Sequence, residues 1–258
     1  SISKKIINTI NLKKKNLKNT QIIEHHFKFK TAREHAINLV LRAKGDYIMH
    51  LHDDDIFTKN IAIDMNRILK KYKPKALSSW VTYINEDSKI LSERQKKSTN
   101  KIKIISTNKL LYGYFLPFER PVVLPTVIFK RKDYIKYWEK FRYSMGKHED
   151  VRILFFFAER GTFLEYQNSF NYFYRFTPHQ DSSIRNERDR LKLISWLKSL
   201  KINIFYKFIL VLNAYIQYFL YYKNFVKSMP RLQKILSLFR QILILKRQGG
   251  KPGKKINF

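Results

Sequence analysis

Three consecutive aspartates, Asp53 to Asp55, directly follow a short apolar segment, Tyr47–Leu51, that reads as a β-strand. A helical pattern over 31–43 precedes that strand, and Gly45 stands just past it, where glycine commonly ends a helix. A second helical pattern, 58–72, comes after the aspartates. This order predicts an α/β fold whose acidic side chains lie at the carboxyl end of a strand, where open α/β sheets bind ligands.

The neighbouring carboxylates of this turn repel one another, so their charge needs compensation. A divalent cation that also holds a diphosphate is one solution, because Mg²⁺ and Mn²⁺ prefer carboxylate and phosphate oxygens as ligands. A solvated acidic turn, or a helix N-terminus stabilised by aspartate, is the other. The acidic turn alone is compatible with both a cation site and a solvated turn or helix N-terminus. The surrounding sequence is needed to distinguish between them.

The sequence on both sides of the aspartates resembles glycosyltransferase family 2, whose members use nucleotide sugars and have the GT-A fold. The similarity begins at Thr31-Ala32-Arg33, continues through Ala43–Ile48 and reaches Leu51–Phe57, where the family usually has Leu-Asp-x-Asp-Asp. In that register, His52 stands where the family usually has its first Asp. The resemblance implies a GT-A-like (Rossmann-like) mixed sheet with flanking helices.

The same resemblance assigns functions to individual residues of the first block. It implies that Asp54 and Asp55 bind Mn²⁺ or Mg²⁺. Asp53 is expected near the ribose of the nucleotide, with Asp55 beside it. Arg33 is expected to contribute to nucleotide-sugar binding.

A second block strengthens the resemblance. A predicted strand, Pro125–Phe129, is followed by basic residues and a helix that extends to Phe141, and then by His148-Glu149-Asp150-Val151. In the family, a Glu-Asp pair at this point opens a helix and its Asp is the catalytic base. The resemblance therefore implies that Asp150 is the base and that Glu149 orients the loop beside it.

Two short predicted strands, 163–166 and 170–173, end in Tyr174-Arg175 and lead to Pro178–Ser183. This last segment resembles the loop in which the family contacts the diphosphate, so we expect His179 and Ser182 to bind the nucleotide sugar. Aromatic residues in the central region could stack on acceptor sugars, although core packing is the commoner explanation. These aromatic residues are Trp80, Tyr83, Tyr112, Tyr114, Phe115 and Phe118.

The resemblance covers about residues 20 to 185. It implies an inverting, metal-dependent glycosyltransferase of the hexosyltransferase type. Such an enzyme moves a sugar from a nucleotide-diphosphate-sugar to a saccharide or lipid-linked saccharide in bacterial surface polysaccharide synthesis. The family's first strand and its Asp-Asp-Gly-Ser segment have no convincing counterpart before Thr20, so we expect that part of the fold to be absent from this sequence or unusual.

The basic charge of the chain is concentrated at its end. Lys and Arg number 52 against 20 Asp and Glu, a net charge of +32, yet residues 191–258 contain 14 basic residues and no acid. We predict a GT-A-like domain over 1–190 and a basic helical appendage over 191–258, with amphipathic helices at 202–222 and 231–247. These helices either pack on the core or lie on an anionic membrane, which predicts a cytoplasmic protein peripheral to the inner face of the cytoplasmic membrane.

Other classes of function are less consistent with the sequence. The absence of Cys excludes disulfides and thiol catalysis. The high basic charge is also typical of a nucleic-acid-binding protein without enzymatic activity, which is the main alternative. No recognised nucleic-acid-binding motif occurs, so we expect a nucleotide-sugar donor rather than a nucleic acid as the partner.

Overall fold

The computed structural model describes residues 31–52, 54–91, 98–115, 121–168, 172–176 and 187–222. The chain divides into two compact units, residues 1–38 and 39–258, and the candidate site described below belongs to the second. The predicted helix at 231–247 lies outside the described residues.

The described residues form seven helices and eight strands. The helices are α1 (Ala32–Arg42), α2 (Lys59–Tyr72), α3 (Thr107–Phe115), α4 (Arg131–Lys140), α5 (Glu149–Arg160), α6 (Glu187–Ser199) and α7 (Ile204–Tyr222). The strands are β1 (Tyr47–Met49), β2 (Ile56–Phe57), β3 (Ala76–Ser79), β4 (Thr82–Ile84), β5 (Ile102–Ile104), β6 (Ile128–Lys130), β7 (Phe163–Tyr166) and β8 (Tyr172–Arg175). Short 3₁₀ turns cover Leu124–Thr126 and Gly146–His148.

The strands form two mixed sheets, as expected for an α/β protein with a mixed sheet. The larger sheet has the order β1-β6-β3-β7-β5, in which β3 and β7 are parallel and the other pairs are antiparallel. The smaller sheet has the order β2-β8-β4. Because β2 follows the acidic turn and pairs with β8, this second sheet brings residues near 55 and 175 together.

The predicted strand at Pro125–Phe129 starts later than expected. Pro125 and Thr126 belong to a 3₁₀ turn, in which the Thr126 hydroxyl donates to the carbonyl of Val123 at 2.8 Å, and β6 begins at Ile128. The prediction was wrong at its first residues because this side-chain bond favours a turn over a strand.

Aromatic side chains fill the space between the larger sheet and helices α4 and α5. Phe129 on β6 is fully buried, with its ring centroid 4.7 Å from that of Phe157 on α5 and 5.0 Å from that of Tyr134 on α4. Close-packed rings of this kind fix the position of α5 on the sheet. The first turn of α5, which carries Glu149 and Asp150, is thereby held in place.

Helices α6 and α7 pack against the rest of the second unit. The Trp196 ring on α6 lies 5.4 Å from Phe155 on α5, and Tyr206 on α7 lies 5.7 Å from Tyr112 on α3. Helix α6 spans residue 190, the predicted domain boundary. Within the part of the chain that the structure describes, no helix combines the length and apolar character needed to cross a membrane.

Candidate active site

The acidic turn between β1 and β2 brings three possible metal ligands together. His52, Asp54 and Asp55 each offer one ligand atom, and these atoms lie within 4.8 Å of one another. His52 and Asp54 are exposed, whereas the Asp55 side chain is only 1% exposed. Asp53, which we expected near the ribose, lies outside the described residues.

Asp55 is held from two directions. The Tyr172 hydroxyl donates to Asp55 Oδ2 and the Arg175 amide donates to Asp55 Oδ1, each at 2.8 Å. Burial raises the pKa of Asp55 above its ordinary value, while these two hydrogen bonds lower it in part. Because a carboxylate oxygen accepts more than one bond, both oxygens keep the capacity to coordinate a cation.

The Arg175 side chain fixes the backbone around this turn. Its guanidinium donates to the carbonyls of Asp54 at 2.8 Å, Asn85 at 2.9 Å and Glu86 at 2.7 Å. It also donates to the Ser88 hydroxyl at 3.0 Å. The planar fork of arginine suits several fixed acceptors at once, so Arg175 ties the acidic turn to the turn after β4.

The second group of acids lies at the start of α5. The Tyr114 hydroxyl on α3 donates to Asp150 Oδ2, and the Val151 amide donates to Asp150 Oδ1 at 2.8 Å. Burial raises the pKa of Asp150 from 3.8 to about 6, although the hydrogen bonds from Tyr114 and from backbone amides partly offset this effect. A buried carboxylate with a pKa close to neutral is well suited to proton transfer.

Glu149 has several structural contacts. Its carboxylate accepts hydrogen bonds from the Tyr137 hydroxyl, from the Met145 amide at 2.8 Å and from Arg152 Nη2 at 2.6 Å. These contacts join the loop at 145 to α4 and α5. They fit a residue that orients the loop beside Asp150.

The acidic turn and Asp150 lie close to a common tyrosine. Burial and the charges of Asp55, Asp54 and Asp150 raise the pKa of Tyr174 to about 12, together with Tyr83, whose ring centroid is 5.8 Å away. Asp54, Asp55 and Asp150 each lie close enough to Tyr174 for their charges to act on its pKa. The possible cation site and the possible base are thus both in the neighbourhood of Tyr174.

The structure does not test the remaining predicted site residues. His179 and Ser182 lie outside the described residues. Arg33 occupies the first turn of α1 and belongs to the first compact unit. Their predicted functions therefore stay predictions.

Sequence reasoning overlooked the residues that support the acids. Tyr172 and Arg175 act on Asp55 across the β2–β8 pair, and Tyr114 acts on Asp150 across the contact between α3 and α5. His52 entered the prediction only as a departure from the family pattern. The Tyr174-Arg175 end of the predicted strand was the one available signal for Arg175.

The residues of the acidic turn fit a hard divalent cation. Asp54 and Asp55 provide oxygen ligands, and the exposed imidazole of His52 can complete the set, its Nδ1 lying 3.9 Å from Asp55 Oδ2. Carboxylate ligands favour Mg²⁺ and Mn²⁺ over softer metals. The exposed position of Asp54 leaves room for phosphate oxygens on the same ion.

Comparison with known proteins bears on the fold. No protein-family model matches the sequence, and no curated protein matches it either. Among solved structures, S. aureus TarS 1–349 in complex with UDP-GlcNAc is similar over 96% of this chain and 68% of that chain, at 11% identity and a TM-score of 0.53. S. aureus TarS 1–349 in a second structure is similar over 95% and 68%, at 10% identity and a TM-score of 0.55.

A further structure of S. aureus TarS is similar over 90% of this chain and 39% of that chain, at 11% identity and a TM-score of 0.52. At this low identity, the similarity is evidence about architecture and not about substrates. It shows that the described chain has a GT-A-like α/β fold with a mixed sheet and flanking helices, as the sequence predicts.

Proposed function

We propose that this chain is an inverting, metal-dependent glycosyltransferase of the family 2 type. It transfers a hexosyl group from a nucleotide-diphosphate-sugar to a saccharide or lipid-linked saccharide in bacterial surface polysaccharide synthesis. The observation that carries the proposal is the acidic turn, in which His52, Asp54 and Asp55 offer ligand atoms within 4.8 Å of one another, together with the buried Asp150 that Tyr114 contacts. The GT-A-like fold supports it, and the complex of TarS with UDP-GlcNAc supports this donor class.

In the proposed reaction, the acceptor hydroxyl oxygen forms a bond to the anomeric carbon as the bond from that carbon to the diphosphate breaks. Asp150 accepts the proton of the hydroxyl, and the nucleoside diphosphate leaves with the electron pair. With its pKa raised to about 6, Asp150 is largely ionised at pH 7 and is still basic enough to take a proton. Attack from the side opposite the leaving group inverts the configuration at the anomeric carbon.

Asp54 and Asp55, together with His52, would hold Mn²⁺ or Mg²⁺. When bound, the cation supplies positive charge that stabilises the departing diphosphate. Asp55 is fixed by Tyr172 and Arg175, so this ligand is held in one geometry before the donor binds. We extend the proposal to Asp53, His179, Ser182 and Arg33 as residues that bind the nucleotide sugar.

The experiment that tests this function measures release of nucleotide from a panel of donors, beginning with UDP-GlcNAc. Activity should require Mn²⁺ or Mg²⁺ and be lost in Asp54→Ala. Asp150→Asn should bind the donor normally but lose turnover by about 10²–10⁴-fold. Asp64→Asn is the matched control, because Asp64 is an acid on α2 whose ion-pair partner is the exposed Arg67. Full activity in excess chelator, or normal turnover in Asp150→Asn, would contradict the proposal.

We also propose that the protein is cytoplasmic and peripheral to the inner face of the cytoplasmic membrane. One face of helix α7 supports this location, because it carries five apolar residues that are each between 45% and 76% exposed. The side chains are Ile204, Phe205, Phe208, Leu212 and Ile216. Apolar burial and basic residues together provide the free energy for binding an anionic membrane surface.

A further inference from the structure

Asp150 is contacted by a side chain from a different helix. Tyr114 lies in the last turn of α3, and its hydroxyl donates to Asp150 Oδ2. The other carboxylate oxygen accepts the Val151 amide at 2.8 Å. Because each oxygen has a fixed donor, the plane of the carboxylate is fixed as well.

We propose that Tyr114 is a positioning residue for the candidate base, holding the Asp150 carboxylate in the orientation that receives the proton of the acceptor. This inference rests on the proposed function. Without the hydroxyl, one oxygen of Asp150 would lose its only side-chain donor among the described residues that surround it. The carboxylate could then rotate away from the acceptor.

Tyr114 is itself held in place by the rest of α3. At the start of the helix, Lys109 Nζ lies 2.9 Å from Glu165 Oε2 on β7, and both side chains are largely buried. This contact fixes α3 on the larger sheet, so the Tyr114 hydroxyl approaches Asp150 from a rigid element.

Tyr114 stays a hydrogen-bond donor across the physiological pH range. Burial raises its pKa well above 10, and the charge of Asp150 raises it further. The other ionisable groups that act on Asp150 or respond to its charge are Glu149 on α5, which raises the pKa of Asp150, and Tyr174 on β8. Among the residues that the structure describes, Tyr114 contributes the one side-chain hydrogen bond that lowers the Asp150 pKa. Removal of the Tyr114 hydroxyl should therefore raise that pKa.

The test compares Tyr114→Phe with Tyr112→Phe, a matched control on the same helix whose ring contacts Tyr206 instead of Asp150. Loss of one hydrogen bond to a charged group corresponds to a change of about tenfold in an equilibrium constant. In Tyr114→Phe we therefore expect the acidic limb of kcat to move up by about one pH unit. The smaller ionised fraction alone would lower kcat at pH 7 about twofold, and we expect the loss of orientation to bring the total fall to about tenfold, with the KM for the donor unchanged. Tyr112→Phe should retain the wild-type profile, and a wild-type profile in Tyr114→Phe would overturn the inference.

A second measurement separates this inference from the proposed function. A ¹³C-carboxyl NMR titration of aspartate-labelled protein, with Asp150→Asn to assign the signal, reports the Asp150 pKa whether or not transfer is observed. The pKa should rise in Tyr114→Phe and stay the same in Tyr112→Phe. An unchanged pKa would overturn the inference even if the enzyme is active, whereas a raised pKa in a protein without transferase activity would contradict the proposed function alone.

If Tyr114→Phe does not fold, the wild-type protein still decides the question. A Tyr114 hydroxyl proton bonded to Asp150 should exchange slowly and give a downfield resonance that Asp150→Asn shifts. A wild-type spectrum without any hydroxyl resonance sensitive to Asp150→Asn would overturn the inference.

Discussion

The backbone amide of Arg175 donates a hydrogen bond of 2.8 Å to the carboxylate of Asp55, a residue 120 positions earlier in the chain. Tyr172 on the same strand donates to the other oxygen. Asp55 is therefore part of the connection between the acidic turn and β8. Asp54, one residue earlier, is exposed.

This difference predicts that replacing each acid by asparagine has a different effect on the stability of the protein. Asp55→Asn should lower the free energy of unfolding by about 1–3 kcal/mol, because the buried amide group cannot accept both hydrogen bonds equally well. Asp54→Asn should unfold like the wild type, within about 0.5 kcal/mol. Both variants should bind Mn²⁺ more weakly. Urea unfolding and titration with Mn²⁺ followed by electron paramagnetic resonance check these outcomes, and equal stabilities of the two variants would contradict the difference in their contacts.

The side chain of Arg175 provides a second prediction. Lysine cannot reach the three carbonyls and the hydroxyl that the guanidinium contacts, so Arg175→Lys should lower the free energy of unfolding by about 1–3 kcal/mol. Amide hydrogen exchange should become faster at 85–88. Arg67→Lys is the control, since Arg67 is exposed and its ion pair with Asp64 measures 3.4 Å. A stability loss in the control as large as that in Arg175→Lys would show that the contacts of Arg175 are unimportant.

Local patterns were sufficient to predict the elements that carry the candidate site. The glycine at 45, the apolar segment before the aspartates and the helical spacing after Asp150 correctly predicted α1, β1 and α5. Each of these signals involves residues within a few turns of one another. Short-range patterns reflect the conformational preferences of the backbone and can be read directly.

The contacts that complete the site depend on tertiary structure. Tyr114 contacts Asp150 because α3 packs against α5, and Arg175 contacts Asp55 because β8 pairs with β2. No local pattern specifies which helices pack or which strands pair. Phe115, next to Tyr114, is buried in the core, as core packing predicts, but core packing alone did not indicate that one hydroxyl binds the candidate base.

Two buried groups near the start of α5 should give opposite pH dependences of stability. Asp150 has its pKa raised from 3.8 to about 6, mainly by burial. Between these pH values the unfolded chain loses the proton while the folded chain keeps it, so rising pH lowers the free energy of unfolding. His148 has its pKa lowered from 6.5 to about 4 by burial and by Arg190, so rising pH increases stability between pH 4 and 6.5.

The free energy of unfolding, measured from pH 3.5 to 7.5 in the wild type and two variants, checks these two directions of change with pH. Asp150→Asn should match the wild type near pH 3.5 and become more stable than it as pH approaches 7, by roughly 2–3 kcal/mol. His148→Gln should be more stable than the wild type below pH 4, with the difference lost above pH 6.5. A stability difference for Asp150→Asn that does not increase with pH would contradict the raised pKa.

Gly146 predicts a packing constraint on the loop before Asp150. Its φ of 63° lies in the left-handed region, and a Cβ atom there would overlap the Asp189 carboxylate. That carboxylate accepts the Lys147 amide at 3.1 Å, so it cannot move without losing this bond. Gly146→Ala should therefore lower the free energy of unfolding by about 1–3 kcal/mol, as measured by urea unfolding.

Gly45→Ala is the control for this glycine. A Cβ atom at Gly45 would lie 3.2 Å from the Tyr47 carbonyl oxygen, a much milder contact. Gly45→Ala should therefore lower the free energy of unfolding by less than about 1 kcal/mol. If Gly146→Ala were no more destabilising than Gly45→Ala, the Asp189 side chain would have to be free to move aside.

The proposed membrane location predicts that the exposed apolar face of α7 is the contact surface. Phe205 and Phe208 are 65% and 63% exposed, and burying one such side chain in the interface contributes about 1.5–3 kcal/mol. Phe205→Ser/Phe208→Ser should therefore weaken binding to phosphatidylglycerol vesicles by at least about 100-fold in a sedimentation assay. Tyr143→Ser, which removes an aromatic residue that is 88% exposed outside α7, should bind like the wild type. Point substitutions are preferable to deletion because Trp196 packs on Phe155. Unchanged vesicle binding by the double variant would place the membrane contact on another part of the protein.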